Sequence, residues 1–280
     1  MLRRSFNLTN SSGELIRGDI RHREDVKKGP TIIVCHGFKG FKDWGFFPMT
    51  AESLADAGYV VITFNFSRNG VGSDLHNFTD LEKFAINTYS HELGDLKCIM
   101  DNILVGKLGK GLINIEKIGL LGHSRGGGDA ILFASNDDNI QVLVTWSAIA
   151  TVERFSETEI NLWHKKGYIE IENKRTKQLM RINLDLLNDI KKNKKNLDIL
   201  ESAKKLEIPT LLIHGEIDDV VPLEESKKIY NHIGTSLKDL MIIEEGNHTF
   251  GINHPMESHS IQFDTVLDLT ESWFDKYLTI

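Results

Sequence analysis

Five short stretches of the chain are apolar almost throughout and stop abruptly at small or polar residues: TIIVCHG (31–37), YVVITFNF (59–66), KIGLLGHS (117–124), IQVLVTWS (140–147) and TLLIHG (210–215). A strand with one wet face alternates apolar and polar residues, whereas runs of this kind are covered on both faces. A sixth strand is predicted at DLMIIEEG (239–246). Helical stretches fall between them: Phe47 to Gly58 with Ala51, Leu54 and Ala55 on one face, then Thr88 to Val105, Gly126 to Ala134, Leu223 to Ile233 and His259 to Leu278. Strand and helix in alternation imply a mostly parallel, doubly wound sheet with its ligand site at the carboxyl ends of the strands. RSFNLT and ELIRGDIRHR, joined through Asn10 to Gly13, read as an antiparallel hairpin on the sheet edge. We take residues 1–280 as one α/β domain.

The alternation is interrupted once. Residues 151–205 separate two consecutive buried strands by more than a crossover helix needs. Leu179, Ile182, Leu186, Leu187 and Ile190 have helical spacing, so the expectation is a helical cap insertion over the strand ends that forms part of a substrate pocket.

Charge and composition exclude several function classes. The net charge is −7, and apart from Lys191 to Lys195, a solvated helix face, no basic run is present, so nucleic acid is not an expected partner. No apolar stretch has the length of a signal peptide core or a membrane span, and the two cysteines, Cys35 and Cys98, read as reduced thiols; the expected compartment is the cytoplasm. A homo-oligomer is compatible with this composition.

The chemistry centres on Gly122-His123-Ser124-Arg125-Gly126, where an apolar strand gives way at once to small residues and a helix. A bare G-x-S-x-G arises by chance roughly 0.1 times in a chain of this length and glycine content, so its weight comes from this strand-turn-helix setting. There the glycines make room and the turn lifts the Ser124 hydroxyl above the sheet. A serine hydroxyl is a poor nucleophile without a base, and the base needs an orienting acid. His248 follows the last predicted strand, and Asp218 and Asp219 follow TLLIHG. An oxyanion would require two backbone donors. The Arg125 amide, next after the nucleophile, and the Phe38 amide, in the His36-Gly37-Phe38-Lys39-Gly40 loop, are the candidates. His36 and His123 read as buried loop anchors, and His254 and His259 as surface residues. Ligand-type residues occur near the site but lack the close paired spacing of a metal motif, so no metal and no cofactor are expected.

HGFKG, GHSRGG, HGEIDDVVP and GNHTF occur in this order at the ends of predicted strands. On these motifs the chain resembles the serine α/β-hydrolase superfamily over nearly its whole length. Within it, the Phe after HG, the insertion and the NHTF ending look like the cinnamoyl or feruloyl esterase-like branch, near the dienelactone hydrolase and prolyl-oligopeptidase-like groups. The resemblance implies Ser124 as nucleophile, Asp218 rather than Asp219 as the acid, and His248 as the base. It implies a carboxylesterase acting on small-molecule esters, short acyl or hydroxycinnamoyl, through an acyl-enzyme. A peptidase or thioesterase on the same residues is the alternative within enzymes, and a ligand-binding protein that kept the fold is the alternative outside them. Two positions depart from the branch. Arg125 stands where glutamine is frequent, and Ser124 excludes the cysteine chemistry of dienelactone hydrolases proper. Arg68, in NFSRNGVGSD, resembles the FRGxGxS loop; its role is tying loops together or contacting a substrate anion. Trp146 and Trp163 are candidates for lining an acyl or aromatic pocket.

Overall fold

The computed structural model describes residues 1–279. The chain begins with an antiparallel hairpin, β1 (Leu2–Thr9) and β2 (Leu15–His22), followed by β3 (Gly29–Cys35), α1 (Phe47–Asp56) and β4 (Val60–Asn65). Next come α2 (Leu81–Ala85), α3 (Tyr89–Leu104), β5 (Ile113–His123), α4 (Arg125–Ala134) and β6 (Ile140–Trp146). The insertion holds α5 (Glu157–Lys166), β7 (Tyr168–Asn173), β8 (Gln178–Asn183), α6 (Asp185–Lys192) and α7 (Ile199–Lys204). The fold closes with β9 (Thr210–Gly215), α8 (Leu223–His232), β10 (Lys238–Ile243) and α9 (Ile261–Leu278).

Eight strands form one sheet in the order β1-β2-β4-β3-β5-β6-β9-β10. From β4 to β10 every pairing is parallel, and the hairpin joins antiparallel through β2 on β4, as the alternating first segment predicts. The apolar runs are buried on both faces with the two-residue period of a strand. On β3, Ile33 and Cys35 enter one core while Ile32 and Val34 enter the other; β5 splits Leu120 and Leu121 in the same way. One core takes in α3, α4 and the insertion, and the other takes in α1 and α9.

The chain leaves β3 for β4 on one side of it and returns to β5 on the other. The loops after β3 and β5 therefore diverge at their carboxyl ends, which opens a crevice at this switch point.

The insertion is mixed rather than helical. Its first helix has a capping box, with Ser156 and Glu159 exchanging hydrogen bonds, and ends on Gly167 in the left-handed conformation. The chain then forms the two-stranded antiparallel β7-β8 hairpin, a separate small sheet. The helical spacing from Leu179 to Ile190 is thus divided. Met180 and Ile182 are the buried positions of β8, Leu179 is 63% exposed, and Leu186 and Ile190 are the buried positions of α6.

Candidate active site

Ser124 caps the N-terminus of α4 with φ 57° and ψ −120°, a region that costs a non-glycine residue about 1–3 kcal/mol. The surrounding structure holds it there. The Ser124 amide continues the β5-β6 ladder to the Trp146 carbonyl at 2.8 Å, and its own carbonyl accepts from Gly127 and Gly128. The turn tolerates no side chain on its flanks. A Cβ on Gly122 would stand 2.2 Å from the Gly126 carbonyl oxygen, and one on Gly126 would stand 2.4 Å from that of His36.

The Ser124 hydroxyl lies 3.0 Å from His248 Nε2, and His248 Nδ1 lies 2.8 Å from Asp218 Oδ2. The second Asp218 oxygen accepts the Val220 and Val221 amides, each at 2.9 Å. Burial opposes ionisation of Asp218, but hydrogen bonds from His214 and His248 outweigh it and hold the carboxyl far below its usual range. His248 Nδ1 is therefore a donor to a carboxylate, which leaves Nε2 facing the serine as an acceptor. Asp219 is exposed and has no part in this chain of bonds.

Three histidines the sequence motifs contain act behind this line. His36, fully buried, accepts the Phe66 amide on Nε2 at 3.2 Å, and burial lowers its pKa to about 4. His123 Nε2 lies 2.9 Å from the His248 carbonyl, and burial, then the charge of His248, lowers its pKa to about 3. Both are loop anchors. His214, which the sequence offers only as a ligand-type residue without metal-motif spacing, steadies Asp218: Nε2 faces the Val221 carbonyl at 2.8 Å and Asp218 at 3.4 Å, while Nδ1 meets Ser226 at 2.7 Å. The signal was present as a histidine closing the fully buried run TLLIHG.

Neither the Phe38 nor the Arg125 amide donates to a protein acceptor among the described residues. Both residues line a cavity of about 430 Å³ with Ser124 and His248 in its wall. Ile149, Phe155, Leu186 and Val221 supply apolar lining. A cavity of about 480 Å³ between α3, α4 and α7 is slightly larger but has no histidine in its lining beside Ser202, so side-chain geometry rather than size singles out the cavity at Ser124.

The Arg125 side chain is buried, with Nε donating to Glu92 at 2.6 Å and the guanidinium 3.9 Å from the Tyr89 ring centre. Burial opposes its charge, but Glu92, Tyr89 and Asp129 more than offset this and hold its pKa above the ordinary value. Asp129 is buried beside them with neither oxygen hydrogen-bonded; burial, then the Glu92 charge, push its pKa well above the ordinary carboxylate value. Glu92 and Asp95 occupy the buried stripe of α3 that continues through Leu96, Ile99 and Ile103. Carboxylates on an apolar stripe were the legible sign of this cluster.

Trp146 and Trp163 do not line the cavity. Trp146 lies in the core on the α9 side, where Nε1 donates to Thr270 at 2.9 Å and the ring meets Phe250 and Phe263 edge to face. Trp163 is fully buried within the insertion, 4.9 Å from Phe155, and so backs a lining residue without being one. Arg68 also stands away from the lining. It reaches the Ile86 carbonyl, His91 and Glu14, which ties the loop after β4 to the N-terminal hairpin and α3. Among the described residues no cluster of three metal-ligating side chains occurs, and no helix is long and apolar enough to cross a membrane.

This sheet, with a tight strand-to-helix turn at its switch point, is the α/β-hydrolase fold. A family model described as serine aminopeptidase, S33, matches residues 181–253. The chain is 24% identical to an uncharacterized 31.7 kDa protein from the traX-finO intergenic region of Escherichia coli, the match covering 93% of each chain. Among solved structures it is similar to the ferulic acid complex of Est1E from Butyrivibrio proteoclasticus, with TM-score 0.74, 17% identity and 98% and 100% of the two chains covered. The esterase domain of a Rhodothermus marinus protein aligns with TM-score 0.68, 16% identity and coverage of 99% and 100%. A dienelactone hydrolase from Anabaena variabilis aligns with TM-score 0.64, 17% identity and coverage of 99% and 100%.

Proposed function

We propose that the protein is a serine carboxylesterase. The observation that carries this reading is the line of contacts Ser124 Oγ to His248 Nε2 to Asp218, 3.0 and 2.8 Å, opening on a cavity. In this reading His248 removes the Ser124 proton as the hydroxyl oxygen attacks the ester carbonyl carbon, and Asp218 stabilises the resulting imidazolium. The oxyanion is held by the Phe38 and Arg125 amides, one such donor being worth about 3 kcal/mol of barrier. His248 returns the proton to the departing alcohol, and water, activated by the same histidine, releases the acid from Ser124. No step calls for a metal or cofactor. The substrate is a small-molecule ester, for which the similarity to esterase structures argues, and the two free cysteines suit a reducing cytoplasm.

The aminopeptidase description of the family model is the second reading to weigh. An aminopeptidase must seat a free ammonium, for which a carboxylate is the natural partner, and the cavity lining contains none among the described residues. The ester reading is tested by a fluorophosphonate probe, expected to label Ser124, and by hydrolysis of an aryl acetate. Ser124→Ala is expected to lose both the label and at least about a thousandfold in kcat. An unlabelled Ser124, or undiminished turnover by the variant, refutes the reading, and the first of these results would leave a non-catalytic binding protein.

A further inference from the structure

The wall of the cavity over Ser124 carries fixed charge of one sign. Lys39, Arg125 and Arg154 line it, and no aspartate or glutamate does among the described residues. In a chain of net charge −7 this is a local departure. Two of these cations are neutralised from behind, Arg125 by Glu92 and Arg154 by both oxygens of Glu225, at 2.6 and 2.7 Å. Lys39 is not. Its ammonium donates to the Glu172 carbonyl at 3.3 Å, across the gap between the oxyanion loop and β7. The Glu172 carboxylate pairs instead with Lys177, 3.5 Å away. No carboxylate among the described residues comes within 4.0 Å of Lys39.

Three further features make this a place for an anion. Lys39 is half-buried, so its charge is only partly solvated. Burial, and after it the nearby charge of Lys174, push its pKa below the ordinary value and outweigh the weaker opposing pull of the more distant Glu172 carboxylate. The N-terminus of α4, with no acidic residue in its first turn, adds its positive end at Ser124 itself.

We propose that Lys39 is a specificity residue and that the site takes esters carrying a second, ionised carboxylate, the ester carbonyl meeting Ser124 and the remote carboxylate meeting Lys39. The proposal rests on the esterase reading above and names its substrate class. It assigns to the substrate the one lining cation among the described residues that has no carboxylate within 4.0 Å. Arg125 and Arg154 shape the wall with their own charges already compensated.

The test compares monomethyl glutarate with methyl pentanoate, which have equal chain length and differ by the carboxylate. The expected result is a higher kcat/KM for the charged ester, with a ratio that falls about tenfold in Lys39→Met and inverts in Lys39→Glu. Lys39→Arg is expected to restore the ratio to within about threefold, and added salt to shrink it in the wild type. Lys39 has φ 56°, and none of the replacements is glycine, so the backbone conformation is equally strained in all of them. Reading the ratio separates specificity from a general loss of folding or of the link to β7, which would lower both esters together. If Ser124 takes the fluorophosphonate label and the ratio is the same in wild type and Lys39→Met, the inference fails while the esterase reading stands. If Ser124 is not labelled and neither ester is cleaved, both fail.

Discussion

The loops at the strand ends and the insertion 151–205 meet across one cavity, and they are specified in different ways. Each strand-end loop draws much of its geometry from a few consecutive residues, pinned at points by neighbouring strands. Gly122 to Gly126 make the tight turn at Ser124 because any side chain at either glycine would collide with backbone, and Asp218 is held by amides two and three residues ahead of it. The insertion draws its geometry from long-range packing. Trp163 backs Phe155, Lys39 reaches β7, and Arg154 reaches Glu225 on α8. Short-range specification keeps the chemistry fixed while the lining, set by distant partners, can vary.

The largest effect is expected at Asp218, which the proposed mechanism makes the acid. Asp218→Asn replaces the carboxylate that accepts from His248, and kcat is expected to fall at least about a thousandfold with the fold intact by circular dichroism. Because Asp218 stays ionised well below neutral pH, the acid limb of kcat/KM in the wild type is expected to follow one proton, with slope one. A slope of two would show a second essential group and place part of the chemistry outside the strand-end loops.

Next in size is Glu92→Leu, which leaves the Arg125 guanidinium buried without its charge partner. A loss of about 3 kcal/mol in urea unfolding is expected. A loss near zero would mean that Asp129, buried beside it without a hydrogen-bond partner, takes the place of Glu92 as charge partner.

A smaller pair of changes examines the insertion. Ile182 is 2% exposed on β8 and Leu179 is 63% exposed on the same strand. Ile182→Ala is expected to cost about 2 kcal/mol or more and Leu179→Ser less than about 0.5 kcal/mol, both by urea unfolding. A continuous helix through both positions would make their costs similar, so equal losses would overturn the hairpin.

That pair also marks where sequence reading stopped. The strands of the sheet were legible because burial on both faces leaves continuous apolar runs, and α3 and α4 because their apolar stripes keep one period. The β7-β8 hairpin was hidden by coincidence. Leu179 and Ile182 on β8, with Leu186, Leu187 and Ile190 on α6, fall at helical intervals although the two elements are separate. YIEIEN does alternate as a strand should, yet a two-residue period over six residues is a weak signal when its partner strand carries the wrong one. The tryptophans illustrate the same limit. Residue type marks Trp146 and Trp163 as large and buried, but which core receives them depends on the sheet's two faces and on how the insertion folds back.

Local grammar suffices for the α/β architecture and for proposing Ser124, Asp218 and His248 as site residues: an apolar run, a tight turn, and a polar residue just beyond it. Tertiary packing is what brings His214 to Asp218, sets Glu92 and Asp129 beneath Arg125, and leaves Lys39 alone among the described lining cations without a carboxylate partner. These depend on which distant side chains come within a few ångströms. Coulombic and hydrogen-bond energies fall off over that same distance, and position along the chain does not encode it.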